Sequence, residues 1–297
     1  MPRKKIKMAI CYDFDGTLSP QYMQNVSFLP KLGITPNDFW KEVKALAKRQ
    51  NMDETLAYMN LMIDKAKEKQ IPLTAKFLME CGKDISFFPG VDTWFDRIKH
   101  YAKSKNIEVE HYIITSGNEE IIRGTAIKRH FKYIFACKFA YEYVYKDLIA
   151  QKPAAAVNYT NKTQHLFRIN KGIFNYWQND EVNKYTPKEK KYIDFKNMLY
   201  IGDGETDVPC MKMVMSQGGH AIAVYNPETK AVKERKNAKG EIVRAEKLSS
   251  QAVALDLFNH GRVNFIAPTN YEENSRLEQI VKNIIDKIYL EQANVKN

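Results

Sequence analysis

Ala9-Ile10-Cys11-Tyr12-Asp13-Phe14-Asp15-Gly16-Thr17-Leu18 is the stretch whose reading decides the fold. A short apolar run ends in two carboxylates two residues apart, then Gly-Thr. The run reads as a buried strand with a turn at its end. In open α/β sheets, ligands bind beyond the carboxyl ends of the strands. Two carboxylates there can bind a hard cation, supply a nucleophile or hold a proton. The plain alternative is a surface turn, since Asp and Gly both favour turns.

Working outward, the same pattern recurs. Residues 109–114 form a second apolar run, ending in Thr115-Ser116-Gly117-Asn118 and followed by a helical stretch from Glu119 to about His130. Hydroxyls and free N–H groups at a helix start favour anions. Ser116 with Glu119 three residues on also fits a capping box, which would leave Thr115 to face a ligand. A further run, Asn197-Met198-Leu199-Tyr200-Ile201, ends in Gly202-Asp203-Gly204-Glu205-Thr206-Asp207. Strands are also predicted over 133–141, 219–225 and 263–267. Short strands alternating with helices predict a doubly wound, mostly parallel α/β sheet. Such a sheet brings Asp13, Asp15, Thr115, Ser116, Asp203 and Asp207 to one edge. Clustered carboxylates repel unless a cation sits among them, and Mg²⁺ suits few carboxylates plus a phosphate.

Residues 20–88 break the alternation. Pro36 starts one helix, with Thr35 as N-cap. Asp53 starts a second, whose apolar positions repeat at three- and four-residue spacing through Lys69. Thr74 to Cys81 reads as a third, stopped by Gly82. The segment is expected to be a helical module inserted into the sheet domain, leaving 1–19 and 89–297 as the core. Tyr22, Lys41, Arg49 and Lys65 are its available substrate contacts, but each is better explained as a solvated or packing residue. Residues 143–157 have no assignment. Lys162 falls near the start of a helix carrying Leu166, Phe167 and Ile169, a place unfavourable for a cation without an anionic partner. Residues 178–191 read as an exposed loop, and 226–250, with seven basic and four acidic residues, as an exposed loop or helix. A C-terminal helix is expected over 274–290.

At 297 residues and 44% hydrophobic, the chain can fill a large core, which excludes global disorder. Its net charge of +11 is spread beyond the basic start at Arg3, Lys4, Lys5 and Lys7. An anionic small substrate, nucleic acid or simple solvation would each account for it. No zinc-finger or RNA-binding signature accompanies the charge, so nucleic acid is not the expected partner. Cys11, Cys81, Cys137 and Cys210 lie far apart, giving no CxxC pair, and reduced thiols in a cytoplasmic setting are expected. No apolar run reaches the roughly 18 residues of a membrane span, so no membrane partner is expected. Nothing in the sequence sets the oligomeric state.

Asp13-Phe14-Asp15-Gly16-Thr17 resembles motif I, DxDGT, of the haloacid dehalogenase-like (HAD) superfamily. Thr115-Ser116 resembles motif II, Lys162 the motif III lysine, and residues 202–207 motif IV, GDxxxD. Lys152, before Pro153, resembles another motif III form; Lys162 is preferred because an amphipathic helix follows it. The resemblance covers the whole core and implies a Rossmann-like fold with a C1-type helical cap at residues 20–88. It implies a Mg²⁺-dependent phosphatase of a small phosphorylated metabolite. Asp13 would form an aspartyl-phosphate, and Asp15 would move the proton. Thr115 or Ser116, Gly117 and Lys162 would hold the phosphoryl group. The metal would sit on Asp13, the Asp15 backbone carbonyl and Asp203, with Asp207 as ligand or orienter. A phosphotransferase or mutase of the same superfamily, and a non-catalytic basic binding protein, are the competing readings.

Overall fold

The computed structural model describes residues 5–236 and 242–294. β1 (Ile6–Tyr12) leads through a π-helical turn (Gln24–Phe28) into α1 (Leu29–Lys31), α2 (Pro36–Gln50), α3 (Glu54–Glu68), α4 (Ala75–Gly82) and α5 (Val91–Ser104). β2 (Ile107–Asn118), α6 (Glu119–Gly124), β3 (Phe131–Val144) and β4 (Asp147–Ala155) follow, then α7 (Lys162–Lys171) and α8 (Asn179–Asn183). The chain ends with β5 (Met198–Gly202), α9 (Val208–Ser216), β6 (His220–Tyr225), β7 (Lys230–Lys236), β8 (Ile242–Ser249), α10 (Ser250–Asn259), β9 (Phe265–Pro268) and α11 (Arg276–Asn294).

Seven strands form one sheet in the order β4-β3-β2-β1-β5-β6-β9. Every pairing is parallel except β3 with β4. β1 lies in the middle, and Met8 to Tyr12 are fully buried. Both faces of β1 are covered, which is why it reads as an unbroken apolar run. The Tyr12 hydroxyl accepts from Trp94 Nε1 of α5 at 2.9 Å and meets His111 Nδ1 of β2 at 3.0 Å. That buried polar knot ties helix and strands behind the sheet edge where the acids lie.

The order of β1, β2 and β5 matters most, because their carboxyl ends carry the three polar loops side by side. The ladder between β2 and β3 is interrupted between Ile114 and Asn118. Thr115, Ser116 and Gly117 lie in that interruption, a common device beside functional sites.

Between β1 and α5 the chain is helical, as its periodicity predicts. Thr35, Asp53 and Thr74 each cap a helix, accepting from backbone N–H groups of the first turn. α4 crosses α6 at Gly82 and Gly124. A Cβ on Gly82 would lie 2.0 Å from Ile121 O, and one on Gly124 1.8 Å from Met79 O. Both glycines permit the backbones to touch.

Several expectations differ from the structure. β2 runs past Ile114 to Asn118, so Asn118 and not Ser116 is the N-cap residue of α6, and the Ser116–Glu119 capping box does not form. The helix from Glu119 breaks at Thr125, whose hydroxyl turns back onto Ile122 O, and resumes as a 3₁₀ turn. Residues 143–157, unassigned from sequence, contain β4, which pairs antiparallel along β3. Residues 178–191 contain α8 and a 3₁₀ turn (Lys188–Lys190), neither of which buries a residue. Within the charged stretch 226–250, β7 and β8 form an antiparallel pair outside the main sheet, and residues 237–241 lie outside the described residues.

Candidate active site

Three strand ends build the site. At the end of β1, the Asp13 backbone N–H donates to Ile201 O at 3.0 Å, stitching the loop to β5. Phe14 N–H donates to Asp13 Oδ1 at 2.7 Å, which fixes the carboxylate. Asp15 Oδ1 accepts from Met23 N–H at 3.0 Å, so the loop folds back against the start of the helical segment. Gly16 between them has φ +78°, and a Cβ there would lie 2.2 Å from Asp203 Oδ2. Only glycine accommodates both the left-handed backbone and that contact. Thr17 Oγ1 donates to Asp203 Oδ1 at 3.3 Å, and Tyr271 OH donates to Thr17 O at 2.8 Å, bracing the loop from the C-terminal side.

Lys162 opens α7 and is 1% exposed. Its Nζ donates to Asp13 Oδ2 at 3.0 Å and to Asp207 Oδ1 at 2.8 Å. These two carboxylates are the anionic partners that a cation at a helix start requires. Burial alone would depress the ammonium, but Asp13 and Asp207 outweigh it and hold Lys162 well above the ordinary lysine range. Lys152, the other lysine considered, sits exposed on β4, paired in register with Ala140, and does not line the cavity that holds Asp13.

Asp207 also accepts from Tyr200 OH at 2.8 Å and from Gly204 N–H at 3.4 Å. Its oxygens are thus engaged in orienting Lys162. Burial, then Asp13, raises its carboxyl, while Lys162 and the Tyr200 hydroxyl oppose the rise. Burial and the Asp13 charge push the Asp15 carboxyl well above its usual range; burial, Asp207 and Asp13 do the same to Asp203. Four carboxylates face one ammonium. Oxygens of Asp13, Asp203 and Asp207 all lie within 4.8 Å of one another, a set that could hold a metal ion. Hard oxygen donors with surplus negative charge fit a divalent cation of the Mg²⁺ or Ca²⁺ kind.

The buried Thr115 Oγ1 accepts from Gly117 N–H at 3.2 Å, so that N–H is already directed within the loop. Gly117 instead provides room: a Cβ on it would lie 2.0 Å from Met23 Cε. Tyr58 OH of α3 donates to Ser116 O at 2.6 Å. Gln24 Nε2 donates to Asn118 Oδ1 at 2.9 Å, adding a second contact between the helical segment and the end of β2.

Asp13, Asp15, Thr115, Ser116, Gly117 and Asp203 share one cavity of about 590 Å³, with Lys162 and Asp207 buried outside its lining. Of the four residues named in advance from the helical segment, only Tyr22 lines it; Lys65 is instead paired with Glu42 and Glu68. Sequence reasoning missed Trp40 with Lys44 on α2, and Glu54, Thr55 and Tyr58 on α3. Trp40/Lys44 and Glu54/Tyr58 are each four apart and share a helix face, but that spacing does not separate a cavity-facing residue from a solvated one. A second cavity, of about 660 Å³, opens near the start of β2 among Lys99, Lys103, Arg129 and Lys132, and none of the motif residues reaches it. Among the described residues no helix is long and apolar enough to cross a membrane.

The sequence was compared with known proteins. An uncharacterized protein of Borreliella burgdorferi is 27% identical over 294 residues, covering 91% of this chain and 93% of that one. Among solved structures, a HAD family hydrolase from Salmonella enterica serovar Typhi is 17% identical with a TM-score of 0.49. The match covers 75% of this chain and 64%, under two thirds, of the other. A phospho-aspartyl intermediate analogue of phosphoserine phosphatase is 16% identical with a TM-score of 0.45, covering 74% of this chain and 87% of that one. Cytosolic 5'-nucleotidase IIIB bound to cytidine is 11% identical with a TM-score of 0.49, covering 94% and 86%. The sequence profile of the haloacid dehalogenase-like hydrolases matches residues 10–212, most of the chain and every loop of the site, and the protein therefore belongs to the haloacid dehalogenase-like hydrolase family.

Proposed function

We propose that the protein is a Mg²⁺-dependent phosphomonoesterase of a small phosphorylated metabolite, working in the cytoplasm through an aspartyl-phosphate on Asp13. The observation that carries this reading is the meeting of Asp13, Asp15, Thr115, Ser116 and Asp203 on one cavity, with Lys162 bonded to Asp13.

An Asp13 carboxylate oxygen attacks phosphorus, and the bond from phosphorus to the ester oxygen breaks. Asp15, two residues on, gives its proton to the departing oxygen. Asp15, now ionised, takes a proton from water as the water oxygen attacks phosphorus. Inorganic phosphate leaves and the Asp13 carboxylate is restored. The hydroxyls of Thr115 and Ser116 hold phosphoryl oxygens, and Lys162, bonded to Asp13 Oδ2, keeps that carboxylate aimed. Asp207 positions Lys162. Mg²⁺, when bound by Asp13, Asp203 and the Asp15 carbonyl with Asp207 beside them, supplies positive charge that offsets repulsion between the nucleophile and the phosphate. Residues 20–88 act as the cap, with α2 and α3 supplying the substrate-facing wall and limiting water around the reacting group.

The test is hydrolysis of p-nitrophenyl phosphate with and without Mg²⁺. Turnover is expected to need the metal, to vanish with chelator and to be abolished in Asp13→Asn. Free phosphate, rather than phosphate transferred to an added alcohol, is the expected product. Undiminished turnover in Asp13→Asn would contradict the nucleophile assignment.

A further inference from the structure

The cavity beyond the carboxylates is walled by aromatic rings from separate stretches of chain. Trp40 lies between Tyr22 and Tyr58, with ring centroids 5.9 and 5.8 Å away and planes inclined at 60° and 63°. Two of the three are held by their polar tips. Trp40 Nε1 donates to Asn25 Oδ1 at 2.8 Å, and Tyr58 OH donates to Ser116 O at 2.6 Å. Tyr159 joins the same lining. Tyr22 and Tyr159 are 58% and 54% exposed, so core packing does not account for them. Large exposed rings lining a cavity mark a binding surface.

The geometry separates two kinds of guest. A flat heterocycle sandwiched between rings needs parallel planes roughly 7 Å apart, two van der Waals contacts. Tyr22, Trp40 and Tyr58, inclined at 60° and 63° and touching in turn, leave no such slot between them; they meet as a corner. A corner of that kind suits a compact cation, which is drawn to the ring faces. The charges agree. Apart from the catalytic acids, the lining carries Glu54 and Glu205, against Lys44 as its one cation among the described residues. Glu54 stands one turn before Tyr58 on the same face of α3. A second anionic group on the substrate would find little to hold it.

We propose that the leaving group is an amino alcohol, whose ammonium or quaternary ammonium head is seated against Tyr22, Trp40 and Tyr58 and paired with Glu54. This rests on the phosphomonoesterase reading above. The reaction is hydrolysis: the phosphorus–oxygen bond breaks, the alcohol oxygen gains a proton, and water supplies the oxygen of the released phosphate.

The experiment compares kcat/KM with Mg²⁺ for phosphocholine and for 3,3-dimethylbutyl phosphate, its uncharged isostere, alongside phosphoethanolamine, uridine monophosphate and p-nitrophenyl phosphate. Phosphocholine or phosphoethanolamine is expected to exceed the isostere about tenfold or more. That ratio is expected to fall toward one in Trp40→Leu and in Glu54→Gln. The wild-type ratio needs no variant to fold. Equal kcat/KM for cationic and neutral esters, or a higher value for uridine monophosphate, overturns the proposal while p-nitrophenyl phosphate turnover leaves the phosphatase standing. No turnover of any ester overturns both.

Discussion

Lys162 shows what a single buried residue does here. It stands 149 positions from Asp13 in sequence and 3.0 Å away in space. Removing it leaves the buried Asp13 and Asp207 carboxylates without the cation that pairs with them. Lys162→Met is expected to lower stability by about 3–5 kcal/mol in metal-free protein, read by denaturant unfolding with chelator present. Turnover is expected to fall by roughly a hundredfold or more, as when one preorganised donor is lost. His165, one turn further along α7, behaves oppositely. It is fully buried, stacked on Phe135 at 4.5 Å, and neither ring nitrogen has a partner among the described residues. Burial, with Arg168 and Lys162 nearby, lowers its value from 6.5 to about 3. Because the folded value lies below the unfolded one, its contribution is full above pH 6.5. It is lost as pH falls toward 3, at about 1.4 kcal/mol per unit. Unfolding measured at pH 7 and pH 4.5 is expected to show a smaller loss in His165→Phe than in the parent; an equal loss would show that His165 titrates normally. The acids at 13, 15, 203 and 207 were legible because each closes an apolar run with a turn. Trp40 and Glu54 were not, because on an amphipathic helix a cavity-facing residue and a solvated one carry the same pattern.

α3 is the element that joins the helical segment to the chemistry. It carries Glu54, Thr55 and Tyr58 to the cavity, and Tyr58 bonds the backbone at Ser116. Its start is set by Asp53, whose Oδ1 accepts from Thr55 N–H at 2.9 Å and Leu56 N–H at 3.1 Å, while Oδ2 accepts from Asn158 beside α7. Asp53→Ala is expected to remove about 1 kcal/mol of stability through the lost cap. It is also expected to raise KM for p-nitrophenyl phosphate more than it lowers kcat, because the wall shifts while Asp13 and Asp15 stay in place. A variant with unchanged KM would separate α3 from substrate binding. Helices with caps and periodic faces were readable from sequence. β4, β7 and β8 were not. β4 is an edge strand whose mixed residues, Pro153 among them, show little alternation, and it is fixed by pairing to β3. β7 and β8 are dominated by charge, which suits an exposed loop equally well.

At the scale of the whole molecule, the parallel sheet was legible because its central strands are buried on both faces, and the site followed from the rule that strand ends share an edge. What could not be read was which loops lean inward, since that depends on contacts such as Tyr271 to Thr17 and Gln24 to Asn118, made across 254 and 94 residues. The fold gathers residues 13, 15, 115, 162, 203 and 207 at one site, and on the proposed mechanism attack by Asp13 would leave a mark on the chain. Acid quenching during p-nitrophenyl phosphate turnover with Mg²⁺, followed by borohydride reduction and peptide mass spectrometry, reads it directly. Conversion of Asp13 to homoserine, dependent on substrate and absent in Asp13→Asn, is the expected result. Steady turnover with Asp13 unmodified, or with the modification on Asp15 instead, would contradict it.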